Sequence, residues 1–340
     1  MKIFTRIAVI FTIVFFITSE LKSQDIHFSQ FNAAPLYLNP ALTGVNSCDY
    51  RFAANFRNQW TNVANYRTLM ASYDMNLGGT GMPNSNFGGV GVTFFSDKAG
   101  DIDLATNQVN LYLSYTMSLD NRGRSLLSTG ITGGYGQRSI DPTKITTDAM
   151  FGPDGFDPNA NSMESIPNDR VRYWDMGVGM VYSYTPKKDL NYFGGLSFSH
   201  LNQPNISFLD IIDESQYIKI TVHGGGHIPL SDRLFLVPSF IYLNQGPSSQ
   251  LNIGSLVRIK RNQLPSDDFS FYVGGWYRWG DAAILSTRVD FGEFNIGLSY
   301  DLNVSKLAAA TKGNGGPELS FIYTGCLSNR KNNVVFCPFL

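Results

Sequence analysis

Hydrophobic and polar residues alternate one by one along Tyr50–Trp60, which reads YRFAANFRNQW. Even positions carry aromatic side chains such as Phe52 and Phe56, and odd positions include Arg51 and Arg57. Because successive side chains of a strand point to opposite sides, this period of two predicts a β-strand with one apolar and one polar face. Two arginines do not suit a dry core, and an aromatic face does not suit water. An apolar exterior around a wet interior, as in a transmembrane barrel strand, fits both faces. One such stretch alone would still favour a strand of a soluble sandwich, so the choice depends on whether the pattern repeats.

The same alternation recurs along the rest of the chain, most clearly in Val109–Leu119 and Phe294–Val304. About fourteen segments show it, each near the 9–11 residues that a tilted strand needs to cross a bilayer. They are Tyr50–Trp60, Tyr66–Leu77, Phe87–Phe95, Val109–Leu119, Leu126–Gln137, Arg172–Thr185, Tyr192–Leu201, Tyr217–Ile228, Leu234–Leu243, Leu251–Lys260, Phe269–Trp279, Ala283–Phe291, Phe294–Val304 and Leu319–Tyr323. An even number of strands is typical of bacterial outer-membrane barrels.

The second faces of these segments and the lengths of the connections also favour a barrel. A soluble sandwich needs dry inner faces, whereas the second faces here repeatedly carry Asn, Ser, Thr, Gly, Arg and Asp. If both termini are periplasmic, the long connections Ser139–Val171, Asn202–Gln216 and Ser305–Pro317 all face outside, as outer-membrane barrels require. One periplasmic connection, Leu77–Asn86, is longer than expected. We predict an all-β protein: a transmembrane antiparallel β-barrel of about fourteen strands with periplasmic termini.

Composition supports this prediction. Charged residues make up 16% of the 340 residues, against about 25% in soluble domains, while aromatic residues make up 14%. The mean hydropathy of −0.10 excludes a polytopic helical membrane protein, because helices in lipid are apolar all round. The net charge of −1 gives no reason to expect a nucleic-acid partner.

The first residues have the features of a signal peptide. Lys2 and Arg6 precede the apolar stretch Ile7–Ile17, which is too short to span a bilayer as a helix. We therefore predict export, with a signal peptide over 1–23 and a periplasmic or lumenal lead-in over 24–49. The outer-membrane barrel then covers 50–324, and a C-terminal periplasmic tail covers 325–340.

The lead-in Gln24–Thr43 combines prolines with apolar side chains. Pro35 and Pro40 exclude a regular helix through it. Its apolar groups are costly in water, so we expect them to pack in the lumen, at the periplasmic rim or against a partner. We favour the barrel's own periplasmic mouth, with part of the surface left for a partner. The candidate partner-binding residues are His27, Phe28, Phe31, Pro35, Leu36, Tyr37, Asn39 and Pro40.

Arginines and cysteines provide further candidates. Arg51, Arg57 and Arg67 are expected to face the lumen, where they either anchor the lead-in or line a solvated pore. Besides Cys48, the chain has Cys326 and Cys337, which flank a polar segment and are a candidate disulfide.

No catalytic, cofactor or metal site is predicted. The sequence has no nucleophile elbow, P-loop or dinucleotide fingerprint. His223 and His227 have the spacing of a zinc helix, but they lie in a predicted strand, where four residues span about 13 Å.

Several stretches resemble the PorP/SprF family of outer-membrane proteins, which belong to the type IX secretion and gliding machinery of Bacteroidetes-type bacteria. The likeness lies in QDIHFSQFNAAPLYLNPALTG, YRFAANFRNQW and SYDMNL, and in SHLNQP at Ser199–Pro204. The family often closes with Cys-Pro-Arg-Phe, whereas this chain has Cys337-Pro338 and ends CPFL, without the arginine.

The resemblance implies a non-enzymatic barrel in the outer-membrane lipid that supports type IX secretion, surface anchoring of adhesins and gliding motility. It implies two kinds of partner, components of the secretion and gliding machinery and a secreted surface adhesin. The barrel pattern predicts only a location in the outer membrane, so two alternative functions stay open: a diffusion porin or solute transporter, and an outer-membrane enzyme.

Overall fold

The computed structural model describes residues 25–60, 65–78, 86–152, 155–157, 167–187, 189–209, 214–261, 269–306 and 308–327. The predicted signal peptide, Cys337 and most of the predicted C-terminal tail lie outside these residues.

Fourteen antiparallel strands close into one barrel, in which neighbours in sequence pair and the first strand pairs with the last. The barrel strands are β1 (Tyr50–Gln59), β2 (Tyr66–Leu77), β3 (Phe87–Ala99), β4 (Leu104–Ser118), β5 (Ser125–Ser139), β8 (Arg170–Lys187), β9 (Leu190–Ser199), β10 (Lys219–Pro229), β11 (Leu234–Gln245), β12 (Ser248–Lys260), β13 (Phe269–Arg278), β14 (Ala282–Phe291), β15 (Phe294–Asn303) and β16 (Asn314–Gly325). Two short strands, β6 (Phe151–Gly152) and β7 (Gly155–Phe156), form a small hairpin between β5 and β8. The predicted fold class and strand number are confirmed.

The two ends of the barrel differ in their connections. At one end, the loop end, lie the long connections 140–169, 200–218 and 304–313. At the other, the turn end, lie the short connections 119–124, 188–189, 230–233 and 292–293, together with the longer 78–86 and 261–268. Both Tyr50 and Gly325 lie at the turn end, so the barrel wall begins and ends there.

The alternation of side chains places an apolar surface outside and a polar one inside. On β4, Leu111 is 64% exposed, whereas Gln108 and Asn110 are buried in the lumen. Aromatic residues such as Trp174 and Trp279 surround the loop end, and Tyr50 and Phe294 are among those at the turn end. Such girdles flank the apolar band of outer-membrane barrels.

Helices are few and short. One-turn α-helices span Pro35–Leu38 and Ala308–Thr311, and 3-10 turns span Phe31–Ala33, Pro40–Leu42, Pro142–Lys144 and Asp148–Met150. Within the described ranges, no helix is both long and apolar enough to cross a membrane.

The structure corrects the predicted disulfide. Cys326 is bonded to Cys48, with a Cα–Cα distance of 4.8 Å, so the predicted pair Cys326–Cys337 is wrong. The reason is barrel closure: pairing of Tyr50 with Gly325 brings the flanking cysteines together from opposite ends of the chain.

One of the three inward arginines is also corrected. Arg51 and Arg57 are buried in the lumen, as predicted, but Arg67 is exposed. Arg67 lies on the same face of β2 as the outward-facing Leu69 and Tyr73, and it lies at the loop end of the strand.

Candidate functional site: the segment inside the barrel

Residues 25–49 run through the barrel interior from the loop end to the turn end, and we call them the lumenal segment. At the loop end, Asp25 contacts His200 and Lys219. At the turn end, the N–H of Asp49 donates to the carbonyl of Gly325. The expectation that this segment covers the periplasmic mouth is therefore wrong, because it fills the lumen.

Apolar side chains of the lumenal segment form the core of the protein. Phe31, Leu38, Ala41 and Leu42 pack against inward residues of the barrel, including Trp276, whose ring meets that of Phe31 edge-on with centroids 6.1 Å apart. A second cluster joins Phe28 and Ala34 of the segment to Met70 and Phe95 of the barrel. Burying each Phe or Leu stabilises this arrangement by about 1.5–3 kcal/mol, so the segment is firmly held.

Three buried charged residues hold the segment at Ser29 and Gln30. The backbone N–H groups of Ser29 and Gln30 donate to the Glu318 carboxylate at 2.7 and 2.8 Å. The Ser29 hydroxyl donates to Asp301 at 2.7 Å and accepts from Arg278 at 2.6 Å.

The same Asp301 compensates two arginines. It accepts from Arg57 at 2.7 Å and from Arg278 at 3.0 Å, and Arg57 also donates to the backbone oxygen of His27. With Glu318 beside Arg57 at 3.5 Å, two cations face two carboxylates, which is the pairing that buried charges require.

A further buried arginine, Arg51, fixes the turn end of the segment. Arg51 donates two hydrogen bonds to Asp74, both at 2.9 Å, and a third to the carbonyl of Leu42 at 3.1 Å. Asp74 in turn accepts from the N–H of Gly44 at 2.7 Å. Arg51 and Arg57 thus anchor the segment, which decides between the two roles considered for them.

Asn39 and Pro40 meet a part of the barrel wall built from glycine. The Asn39 amide donates to the carbonyls of Met180 and Leu196, both at 3.1 Å. A Cβ atom on Gly179 would collide with the Asn39 side chain, and one on Gly130 would collide with the Pro40 backbone. Glycine at these inward positions lets the segment approach the strands closely.

A charged cluster fixes the segment at the loop end. Asp25 lies 2.5 Å from His200 and 2.7 Å from Lys219, and the other ring nitrogen of His200 lies 2.9 Å from Asp175. Burial would raise the pKa of the Asp25 carboxyl, but the charges of His200 and Lys219 hold that pKa well below its usual range. Burial would lower the pKa of His200, but Asp25 and Asp175 raise it to about 9.

The family model described as type IX secretion system membrane protein PorP/SprF matches residues 20–323. This chain belongs to the PorP/SprF family. The match includes the residues of the lumenal segment and extends almost to the end of β16.

Solved structures similar to this PorP/SprF chain are outer-membrane β-barrels. The toluene transporter TbuX of Ralstonia pickettii is 11% identical, with a TM-score of 0.51 over 86% of this chain and 93% of that one. The monoaromatic hydrocarbon channel CymD is 10% identical, with a TM-score of 0.50 over 86% and 93% of the two chains. At these identities the likeness is one of fold alone. No curated protein sequence matches this chain.

The candidate partner-binding residues of this PorP/SprF chain lie together in the lumenal segment. Tyr37 and His27 are half-buried, and the others are buried: Phe28, Phe31, Pro35, Leu36, Asn39 and Pro40. Their role in binding a partner stays a prediction.

Sequence reasoning missed the residues that receive the segment. Glu318, Asp301 and Arg278 lie on strands far from it in sequence, and only barrel closure brings them to Ser29. For His200, the SHLNQP likeness was a usable signal, since it marked that stretch without revealing its contact with Asp25.

Proposed function

We propose that this PorP/SprF chain is a non-enzymatic outer-membrane barrel that supports type IX secretion, surface anchoring of adhesins and gliding motility. Family membership supports the secretion system, and the occupied lumen is the observation that carries the structural part of the proposal. The partners are components of the secretion and gliding machinery and a secreted adhesin.

The proposed orientation places the turn end in the periplasm and the loop end outside the cell. It rests on the rule that outer-membrane barrels have short periplasmic turns and longer external loops. Export then depends on the signal peptide predicted over 1–23.

The diffusion porin is the weaker candidate. A porin keeps a water-filled channel, whereas Phe31, Leu38 and Leu42 join Trp276 and its neighbours in an apolar cluster across the lumen. Large side chains of the segment therefore stand where permeating solutes would have to pass.

Burial also limits how the segment reaches a partner. Phe28, Phe31 and Leu36 are at most 5% exposed. In the proposed function, a partner contacts them only after the segment has left the lumen. While the segment stays inside, it blocks the lumen.

Deletion of residues 26–40 behind an intact signal peptide tests this function. Each barrel strand pairs only with other barrel strands, so we expect a barrel that still inserts and still migrates differently on gels before and after boiling. Surface adhesin display and gliding should be lost. Normal adhesin display by an inserted deletion variant would refute the role of the segment.

A further inference from the structure

The loop end of the lumen holds a cavity of about 490 Å³, which we call the loop-end cavity. Its volume lies within the range of small-molecule binding sites. Ile26 and Tyr37 of the lumenal segment form one side of it, and Asp97, Thr106 and Arg138 of the barrel wall form another. The secretion role proposed above does not use this cavity, so a ligand bound there would be a separate property of the chain.

Two opposite charges that line the cavity have no ion-pair partner within the described residues. The charges of His200 and Lys219 belong to the cluster around Asp25 described above. Asp97 and Arg138, in contrast, form no ion pair within the described ranges. They are therefore the charges that a ligand in the cavity can compensate.

Glu214 also lines the cavity, on the connection 200–218. It is exposed, unlike Asp97 and Arg138, which are half-buried. Solvent and salt screen an exposed charge much more than a partly buried one. The site is therefore built on Asp97 and Arg138, with Glu214 at its rim.

Asp97 and Arg138 lie in one row across three neighbouring strands. Asp97 on β3 pairs in register with Thr106 on β4, and Thr106 pairs with Arg138 on β5. Neighbouring strands lie about 4.8 Å apart, so the backbones of the two charged residues are about 10 Å apart on the same inner wall. A ligand that meets both charges must span a distance of this order.

Both charged groups keep hydrogen-bonding edges for a ligand. One Asp97 oxygen accepts from the Thr68 hydroxyl at 2.5 Å, whereas the other remains accessible and has no partner among the described residues. The Arg138 guanidinium lies over the Phe208 ring, 5.9 Å from its centroid. Stacking of this kind covers a face of the guanidinium and leaves the N–H groups in its plane available.

Apolar side chains flank the two charges. Phe95 lies two residues deeper along β3 than Asp97, and Leu104 lies two residues nearer the loop end along β4 than Thr106. Both line the cavity. The wall thus combines a carboxylate, a guanidinium and apolar surface, so it suits a ligand that has an ammonium group, a carboxylate and apolar side chains.

We propose that the loop-end cavity binds a short peptide with free termini. The terminal ammonium donates to Asp97 and the terminal carboxylate accepts from Arg138, and both are strong, charge-assisted hydrogen bonds. An extended chain covers about 3.3–3.6 Å per residue, so a dipeptide with one hydrogen bond at each end spans the wall between the two charges. Its side chains pack against Phe95 and Leu104.

Other charged ligands fit the wall less well. A single amino acid holds its two charges too close together to reach both Asp97 and Arg138. A diamine matches Asp97 but leaves Arg138 without a counter-charge, and a dicarboxylate does the reverse.

Calorimetric titration of the purified full chain tests the proposal. The chain is kept in octyl glucoside, which carries no charge, and the probes are Leu-Leu, N-acetyl-Leu-Leu and Leu-Leu-amide. We expect Leu-Leu to bind, and blocking either terminus should weaken binding at least tenfold, as for the loss of a hydrogen bond between charged groups. Putrescine and succinate, each with two like charges, should bind no better than the blocked peptides.

Two substitutions assign each terminus to its partner. Asp97→Asn keeps an oxygen for the Thr68 hydroxyl but removes the charge. It should weaken binding of Leu-Leu at least tenfold and leave the weaker binding of N-acetyl-Leu-Leu unchanged. Arg138→Gln should likewise weaken Leu-Leu and leave Leu-Leu-amide unchanged. Both variants must still migrate differently on gels before and after boiling, which shows that the barrel has folded.

Matched controls lie at the same end of the barrel. Arg172 is exposed on the outer face of β8, and Asp103 lies in the turn between β3 and β4. Arg172→Gln and Asp103→Asn should leave the Kd of Leu-Leu unchanged. Absence of Leu-Leu binding by the wild type would overturn the proposal, and so would equal binding of the blocked peptides or of putrescine or succinate. Equal Kd values for Asp97→Asn and Asp103→Asn would also overturn it, because Asp97 would then have no specific role.

Discussion

Buried charges in the lumen are paired residue by residue. Arg51 lies directly across from Asp74 in the register of β1 and β2, and the two are bonded. Arg57 and Arg278 instead share Asp301, which lies on a distant strand. Parity along a strand is enough to place Arg57 inside the barrel, but finding Asp301 as its partner requires the closed barrel.

The shared carboxylate makes Asp301→Asn a severe change. It leaves Arg57 and Arg278 with one carboxylate fewer, and breaking a buried pair costs about 3–5 kcal/mol. We expect a loss of this order in the free energy of unfolding, measured by urea titration in detergent micelles. The control is Asp103→Asn, whose exposed pairs with Lys98 and Lys144 should contribute little to the free energy of unfolding. Equal losses for the two variants would contradict this account of the cluster.

The outer face of β4 offers a second test at single residues. Leu111, near the middle of the strand, is 64% exposed and should face lipid. Leu111→Arg should therefore lower the free energy of unfolding in bilayers by about 2–4 kcal/mol. Ala105→Arg, near the loop end of the same face, should cost at most about 1 kcal/mol. A cost that does not depend on depth would argue against the assigned lipid face.

At the scale of elements, the lumenal segment shows where sequence reasoning stops. Its apolar residues predict packing of some kind, but they are equally suited to a lumen, a rim or a partner. The barrel wall shows that the segment packs in the lumen, because Gly130 and Gly179 make room there for Pro40 and Asn39. Glycine on an inward parity is visible in the sequence, but its partner is known only from the structure.

The contact between Asp25 and His200 predicts that the loop end of the segment loosens at high pH. The pKa of His200 is raised to about 9, whereas the ordinary pKa of histidine is about 6.5. The stabilisation from the contact with Asp25 is therefore complete below a pH of about 6.5 and is lost as the pH rises through 9. The lowered pKa of Asp25 means that its share is lost only when the pH falls below about 4.

Hydrogen exchange of the amides near Asp25 measures this loosening. After correction for the intrinsic rate, exchange should be faster at pH 10 than at pH 7.5. His200→Asn is the control, since asparagine tolerates the positive φ of this position but does not titrate. The variant should exchange quickly at both pH values. A wild-type pH response in His200→Asn would show that another group controls the segment.

At the scale of the whole molecule, the period of two predicted the strand number and most of the outward faces. Both are local consequences of alternation. The Cys48–Cys326 bond and the contacts of Ser29 with β13, β15 and β16 were not predictable in this way, because they join residues that are far apart in sequence. Closure of the barrel creates them.

The filled lumen leads to a last prediction, on conductance. Purified wild-type protein in planar bilayers should show little or no steady conductance, because the cluster around Phe31, Leu38 and Trp276 stands across the lumen. Deletion of residues 26–40 removes Phe31 and Leu38 from this cluster and leaves Arg57, Arg278, Asp301 and Glu318 to line a hydrated passage. We therefore expect stepped conductance from the deletion variant.

Phe31→Leu is the matched control for this deletion, since it keeps an apolar side chain in the cluster and should leave the bilayer silent. Stable open steps from the wild-type chain would instead favour the porin. If neither the wild type nor an inserted deletion variant conducts, the lumen must be blocked by something other than the lumenal segment. The three results assign blockage of the lumen to different parts of the molecule. Conductance therefore measures directly whether the lumenal segment blocks the lumen.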